Sequence, residues 1–382
     1  MKTILRTFVG CTAILFGTAC MGAVKYVPEN MKVELSLKVP GNNAVNYKLH
    51  PDKLENSYFD YEWRSDNKLP ITVFHKVEER DSCMRLTVQL TAAQDVYFNY
   101  RQLLSTGYRH DNCQFYMPGF WYRRNLRSPK KAPSFHTSDS WLVREDRLSA
   151  PLTGIFSEKE KRFMTVNRLD DFSMDALATH KEGEIILSGK TSLGFTGFEN
   201  QQGIAMLSFG FPYREAPKSY IRKLTLAPEV EAFQLMKKGE SVLLTWEIME
   251  SGADDFSDFI QHTWEHCYDT YAPKPVENSY SIADMKQVLS CFFVNSLVDN
   301  QPLVYNSGIH LKVSDCERNG QAEVGFIGRV LLNAFNAWEY GWQSNREELK
   351  VNSTKIFDSY LKNGFTQAGF FKESVNFDKG YE

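Results

Sequence analysis

Two adjoining segments hold a dense collection of ring and ionisable side chains. "FYMPGFWYRRNLRSP" (residues 115–129) and "PSFHTSDSWLVREDRLSAP" (residues 133–151) bring Phe120, Trp121, Tyr122 and Trp141 together with Arg123, Arg124, Arg127, Arg144 and Arg147. His136, Asp139, Glu145 and Asp146 lie among them. A sugar ring has an apolar face and a rim of hydroxyls, so flat aromatic surfaces beside charged hydrogen-bonding groups are what its recognition needs. Arginine also pairs in two parallel bonds with the carboxylate of a uronic acid, which tilts the expectation toward an acidic sugar. Trp121, Tyr122, Arg123, His136, Trp141, Arg144 and Arg147 are therefore expected to bind substrate. The same residue types suit an interface between domains, with tryptophans filling it and the charges pairing across it.

Glycosidic cleavage typically needs two carboxyl groups, one to protonate the leaving oxygen and one to act as base or nucleophile. Asp139, Glu145 and Asp146 form one group of candidates, and Asp315, Glu317 and Glu323 in "VSDCERNGQAEVGF" form a second. The second group has an alternative use in capping and in balancing a helix dipole. His310 in "NSGIHLKV" can serve as an acid or base, or as a buried structural histidine. "HTWEH", residues 262–266, follows the order of inverted zinc peptidases. On a helical wheel, however, His262 and His266 flank the apolar stripe and Glu265 lies almost opposite it, as on an ordinary surface helix. No residue pattern calls for a metal or a cofactor. There is no nucleophile elbow, phosphate-binding loop, dinucleotide glycine pattern or EF-hand loop.

These residues sit in a chain of 382 residues, long enough for about two domains. With 44 basic and 47 acidic residues and a net charge of -3, no basic stripe marks a nucleic-acid partner. Residues 1–20 read as an export signal: Lys2 and Arg6 precede an apolar run too short for a stable membrane anchor. The ending Gly17-Thr18-Ala19-Cys20 resembles the lipobox of bacterial lipoproteins, which implies lipidation of Cys20; Gly17 stands where a leucine is usual, so plain signal cleavage remains the alternative. The expectation is an exported protein, in the periplasm or on the outer membrane of a Gram-negative bacterium, touching the membrane only through that lipid. Cys83, Cys113, Cys267, Cys291 and Cys316 have no framework spacing and read as buried single thiols, with one bridge, Cys83 to Cys113 or Cys267 to Cys291, left open.

From residue 31 to 250, short alternating runs such as "KVELSLKV", "MRLTVQLTA" and "SVLLTWEIME" predict antiparallel strands in a β-sandwich, residues 24–250. Residues 151–156 and 162–169 are expected to form a hairpin with a charged tip. From Ala253 the period changes to that of helices. Phe256, Ile260, Trp264, Cys267 and Tyr271 make an apolar stripe on the first, which Pro273 and Pro275 stop. Three more helices are expected over residues 282–298, 322–342 and 345–364.

A sandwich followed by helical hairpins, with "WEHCYDTYAPKP" closing the first helix and "VGFIGRVLLNAFNAWEYG" within the third, resembles the six-hairpin (α/α)6 toroid carbohydrate enzymes of Bacteroidetes-type bacteria. These are mostly glycoside hydrolases, with polysaccharide lyases sharing the architecture. The resemblance implies a multidomain α+β fold in which residues 253–382 are a partial toroid, four helices of the twelve in a full one. It further implies a cleft between the sandwich loop and the toroid rim, where Asp146 and Glu323 are the leading acid/base pair and Glu145 and Asp315 the alternates. The expected function is hydrolysis of polysaccharide-derived oligosaccharides; a glycan-binding protein without catalysis, an inactive fragment and a lyase are the alternatives.

Overall fold

The computed structural model describes residues 27–80, 83–170, 175, 182–298, 303–306, 309–311, 316–318, 321–324, 329–376 and 378–381. The chain divides into two compact units, one ending at Pro273 and one beginning at Lys274. The first is built on a large hydrogen-bonded sheet of 17 strands. Strand Val96–Arg109 pairs antiparallel with Met31–Lys38, with Ile204–Phe211 and with Val230–Met236. Strand Ser241–Gly252 likewise pairs with Cys83–Ala92 and Arg162–Arg168. One pairing, Gly183–Ile186 with Val230–Met236, is parallel. Alternation drives this arrangement: every second residue of Cys83–Ala92 is buried, from Met84 through Leu86, Val88 and Leu90 to Ala92. The sheet curls on its own apolar face, so that Phe209 and Trp246 meet with ring centroids 5.1 Å apart. Strands Leu152–Ser157 and Arg162–Arg168 form the expected hairpin, and Leu152–Ser157 also pairs with Cys113–Met117.

Helix α1 (Phe256–Tyr271) packs on this sheet and belongs to the first unit. Asp255 caps it, its carboxylate accepting the backbone N–H groups of Ser257 and Asp258 at 2.7 and 2.9 Å. Its buried face is Phe256, Phe259, Thr263 and Cys267. The expected stripe through Ile260, Trp264 and Tyr271 is thus rotated. Trp264 and Tyr271 are amphipathic and sit at the rim, where the Trp264 Nε1–H donates to Tyr116 Oη at 2.7 Å and the Tyr271 hydroxyl donates to Asn167 Oδ1 at 2.7 Å. Phe259 takes the central position and lies against Gly154, where an added Cβ would stand 2.5 Å from the ring. Phe156 stacks on Phe259 at 6.0 Å and Phe163 tilts against it at 4.9 Å.

The second unit holds three helices, α2 (Ile282–Ser296), α3 (Arg329–Gln343) and α4 (Glu347–Asn363). They close over a core that includes Val304, Tyr305, Val330, Ala334, Leu349, Ile356 and Val375. Short strands run between and after them: Leu297–Val298 with Val304–Tyr305, Ile309–Leu311 with Cys316–Arg318, and Gln321–Glu323 with Ser374–Asn376. The expected fold, a sandwich followed by the helical hairpins of a partial toroid, is therefore corrected: the protein is β-rich, with four helices among the described residues and no helical toroid. Two findings overturn it. The first of the expected toroid helices spends its apolar face on the sheet, and residues 322 and 323, expected to open the third helix, are in the strand Gln321–Glu323. No described helix is long and apolar enough to cross a membrane.

If Phe259 holds α1 to the sheet, Phe259→Ala will lower the unfolding free energy by about 3–5 kcal/mol. Tyr268→Ala, at an exposed position of the same helix, will change it by less than about 0.5 kcal/mol. Urea titration followed by tryptophan fluorescence measures both.

Candidate functional site

The turn after strand Cys113–Met117 carries the side chains expected to meet a ligand. Strand Trp121–Arg123 folds back on it, with Phe115 opposite Arg123 and Met117 opposite Trp121. Arg123 and Asn125 both adopt left-handed backbone, φ 58° and 49°. Asn125 stabilises this turn: its Oδ1 accepts the Tyr122 N–H at 3.0 Å, and its Nδ2 donates to the carbonyls of Phe120 and Pro133 at 3.2 Å each. His136 donates from Nε2 to the Leu126 carbonyl at 2.9 Å, so its ring fastens the turn.

Trp121 and Trp141 do not reach a ligand. Both are fully buried, 5.8 Å apart, and their Nε1–H groups donate to the carbonyls of Arg123 and Ser138 at 2.9 and 3.0 Å. Phe198, 5.1 Å from Trp121, and Phe135, 5.8 Å from it, cover its ring. The tryptophans are core, placed so because a large ring with one satisfied polar handle gains more from burial than from exposure.

The loop carboxylates are also committed. Glu145 is buried, accepting from Arg168 Nη1 and from the Gly194 N–H, each at 2.7 Å. An added Cβ at Gly194 would lie 2.9 Å from Glu145 Oε2, so this approach needs glycine. Burial raises the Glu145 carboxyl, and the attraction of Arg168 only partly offsets it. Asp146 receives both Nε and Nη2 of Arg144 at 2.7 Å. Arg147 forks onto Glu215. Arg144 and Arg147, expected to hold substrate, thus serve ion pairs within the fold. Asp315 and Cys20 lie outside the described residues, and so do the side chains of His310, Glu317 and Glu323. Strand Gln321–Glu323 is in the second unit.

What remains is a groove of about 700 Å³ lined by Gln114, Tyr122, Arg123, Arg124, Arg127 and Glu158, with Asn125, Leu126 and Ser128 completing it. Tyr122 and Leu126 are 52% and 58% exposed, enough to offer an apolar surface in the groove. Arg123 lies over the Phe256 ring at 5.0 Å, and Arg124 over Phe135 at 5.3 Å with Nε donating to the Cys113 carbonyl at 3.3 Å. None of Arg123, Arg124 and Arg127 has a carboxylate within ion-pair distance among the described residues. Among the described residues of the first unit only Arg222 shares that lack; Arg64, Arg80, Arg85, Arg101, Arg109, Arg144, Arg147, Arg162, Arg168 and Arg214 are all paired. Gln114 and Glu158 were missing from the sequence expectation. They join the turn because the Cys113–Met117 strand pairs with Leu152–Ser157, bringing the charged hairpin tip alongside it.

A second cluster lies under α1. His266 bonds through Nε2 to Glu247 Oε1 at 2.7 Å, the Thr270 hydroxyl donates to the same oxygen at 3.1 Å, and the Cys83 sulfur lies within 4.8 Å of the carboxylate. Burial favours the neutral acid at Glu247, but the hydrogen bond and charge of His266, with Thr270 and Cys83, outweigh it and hold the carboxyl down at about 2. Burial, reinforced by Glu247, pushes the Cys83 thiol up to about 11. Donor atoms of Cys83, Glu247 and His266 all lie within 4.8 Å of one another, the one group of this kind among the described residues. His262 is not part of it; its Nε2 lies 3.5 Å from Asp258. Glu265 accepts from Gln261 at 2.8 Å on the exposed face. Cys83, Cys113 and Cys267 are free buried thiols, whereas Cys291 is free and exposed.

No family model and no curated protein matches the sequence. Among solved structures the chain is similar to carbohydrate-active enzymes. A polysaccharide lyase shares 12% identity at a TM-score of 0.33, covering 92% of this chain and 56% of its own. A galactose mutarotase related enzyme from Lactobacillus acidophilus shares 10% identity at a TM-score of 0.30, covering 58% and 79%. A GH36 alpha-galactosidase from Geobacillus stearothermophilus shares 12% identity at a TM-score of 0.23, covering 57% and 30%. The chain spans little more than half of the lyase's length.

A carboxyl depressed in the folded state adds stability above its unfolded value, and that stability is lost as pH falls toward the folded value. For Glu247 the window runs from about pH 4.5 down to about pH 2. Between pH 7 and pH 3 the protein will lose about 2 kcal/mol that Glu247→Gln does not lose. Urea midpoints of the two proteins at both pH values measure the difference.

Proposed function

We propose that the protein recognises acidic oligosaccharides in the groove of Tyr122, Arg123, Arg124 and Arg127. The observation that carries this is three guanidinium groups without carboxylate partners in a unit whose other described arginines, Arg222 excepted, are paired. A guanidinium placed without an internal counterion can attract an external anion, and uronic carboxylates fit the fork of Arg123 or Arg127; Arg124, whose Nε and Nη2 donate to the Cys113 and Asp111 carbonyls, adds its charge. Tyr122 and Leu126 supply the flat and apolar surfaces a pyranose face needs, while Glu158, which accepts from Gln114 through Oε1, keeps Oε2 as a partner for a hydroxyl. A polyphosphate ligand fits less well, because Glu158 stands on the same wall.

Recognition without cleavage is the form of this reading that the groove supports. Hydrolysis by two carboxyl groups needs a pair, and among the described residues Glu158 is the one carboxylate lining the groove. Asp146 is held in two bonds by Arg144 and Glu145 is sealed beside Arg168. Export through residues 1–20 and a lipid on Cys20 would bring the groove to polysaccharide fragments outside the cytoplasm; the mass of the mature N-terminal peptide tests that part.

Isothermal titration calorimetry with oligogalacturonate and with the same oligosaccharide methyl-esterified tests the groove. The acid form is expected to bind and the ester to bind at least tenfold more weakly. Arg127→Ala will weaken the acid form roughly tenfold, about 1.4 kcal/mol. Tyr122→Ala will weaken both forms, and added salt will weaken the acid form alone. Equal affinity for acid and ester would overturn the proposal, and shortened products from the wild-type protein would overturn its restriction to binding.

A further inference from the structure

We propose that Cys83, Glu247 and His266 form a zinc site that clips helix α1 to the sheet. The inference is independent of the groove. Strand register brings the first two together: Cys83 stands opposite Met249 and Arg85 opposite Glu247, so Cys83 and Glu247 are diagonal neighbours on one face of an antiparallel pair. α1 crosses that face and lowers His266 onto it. One thiol, one carboxylate and one imidazole, with donor atoms within 4.8 Å, are a donor set that zinc accepts, and thiolate with imidazole disfavours calcium and magnesium.

The surroundings fit a metal shell. Cys83 and Glu247 are each 4% exposed, and His266 leads to solvent at 22% side-chain exposure, which gives an ion an entry path. Arg85 Nη2 lies 3.4 Å from Oε2, the oxygen that His266 and Thr270 do not touch, and so leaves Oε1 on the side of His266. Arg85 is itself 28% exposed, so its charge is partly screened by water. Thr270 or a water can supply a fourth ligand. When zinc binds, the Cys83 S–H bond breaks, the sulfur keeps the electron pair and gives it to the metal, and one proton leaves to solvent. The neutral His266 ring gives up the Nε2 proton that now faces Glu247 and takes one from solvent at Nδ1, so Nε2 presents its lone pair with no net change in ring protons. The ion takes over from two hydrogen bonds that now join helix to sheet.

The test uses the full chain, treated with chelator and titrated with zinc and with cobalt. We expect one equivalent to bind, cobalt to give a thiolate charge-transfer band, and zinc to raise Tm by roughly 5 °C at saturating concentration. Cys83→Ser will abolish the band and the Tm shift, and His266→Asn will weaken binding at least tenfold. His262→Asn and Cys113→Ala will leave both signals intact. A wild-type protein without the band, a band that survives in Cys83→Ser, or one that is lost in His262→Asn would overturn the proposal. Should Cys83→Ser fail to fold, calorimetry of the wild type in two buffers of different ionisation enthalpy decides: release of about one proton per zinc near neutral pH supports the thiolate ligand, and no release contradicts it.

Discussion

Gly154 leaves a gap in the side-chain layer of the sheet, and the ring of Phe259 fills it. The position is fixed from two sides, because Gly154 is opposite Thr165 on one neighbouring strand and Tyr116 on the other. Seating α1 at this point sets the rest of the helix. Phe256, three positions earlier, comes under the Arg123 guanidinium at the edge of the groove. Trp264 reaches the Tyr116 hydroxyl, and His266, seven positions beyond Phe259, reaches Glu247. A helix turn is about 3.6 residues, so these contacts fall on one face and its flanks and cannot be adjusted one at a time. The groove and the buried cluster therefore depend on one close approach between a helix and a strand.

The unit's charges are arranged with similar economy. Arg168 on Glu145, Arg147 on Glu215 and Arg101 between Glu34 and Glu199 are each held by carboxylates distant in sequence, and Asp170, two residues on, adds a second partner to Arg168. Such pairs fix which strands meet more than they add stability, because both partners give up hydration to form them. Against that background the turn at residues 122–127 stands apart. Its backbone conformation is held by Asn125 and His136, so the arginines are presented by a fixed frame and need little ordering when an anion arrives.

The antiparallel strands were legible in the sequence because alternation is a local signal, and the hairpin at residues 152–168 is where the pattern placed it. The segment from residue 115 to 147 was legible as special, but not the division of labour within it. Arg144 and Asp146 are two residues apart, yet whether they bind each other or a ligand depends on Tyr213, over which Arg144 lies, and on strands far away in sequence. Trp121 and Tyr122 are adjacent and point to opposite sides of a three-residue strand, one to the core and one to water; only the pairing with Phe115 to Met117 decides which. The second unit was misread because strands of two or three residues, such as Leu297–Val298 and Gln321–Glu323, are too short to show a period, while the helices beside them show one clearly. Cys83, Glu247 and His266 are brought together by register and docking alone, which leaves no spacing to find.

Hydrogen–deuterium exchange of the full chain, with and without oligogalacturonate, tests the location and chemistry of the recognition surface together. The account predicts added protection confined to residues 113–128 and 156–160, appearing with the acidic oligosaccharide and absent with its methyl ester. Protection elsewhere in the chain, or equal protection by the two sugars, would contradict it.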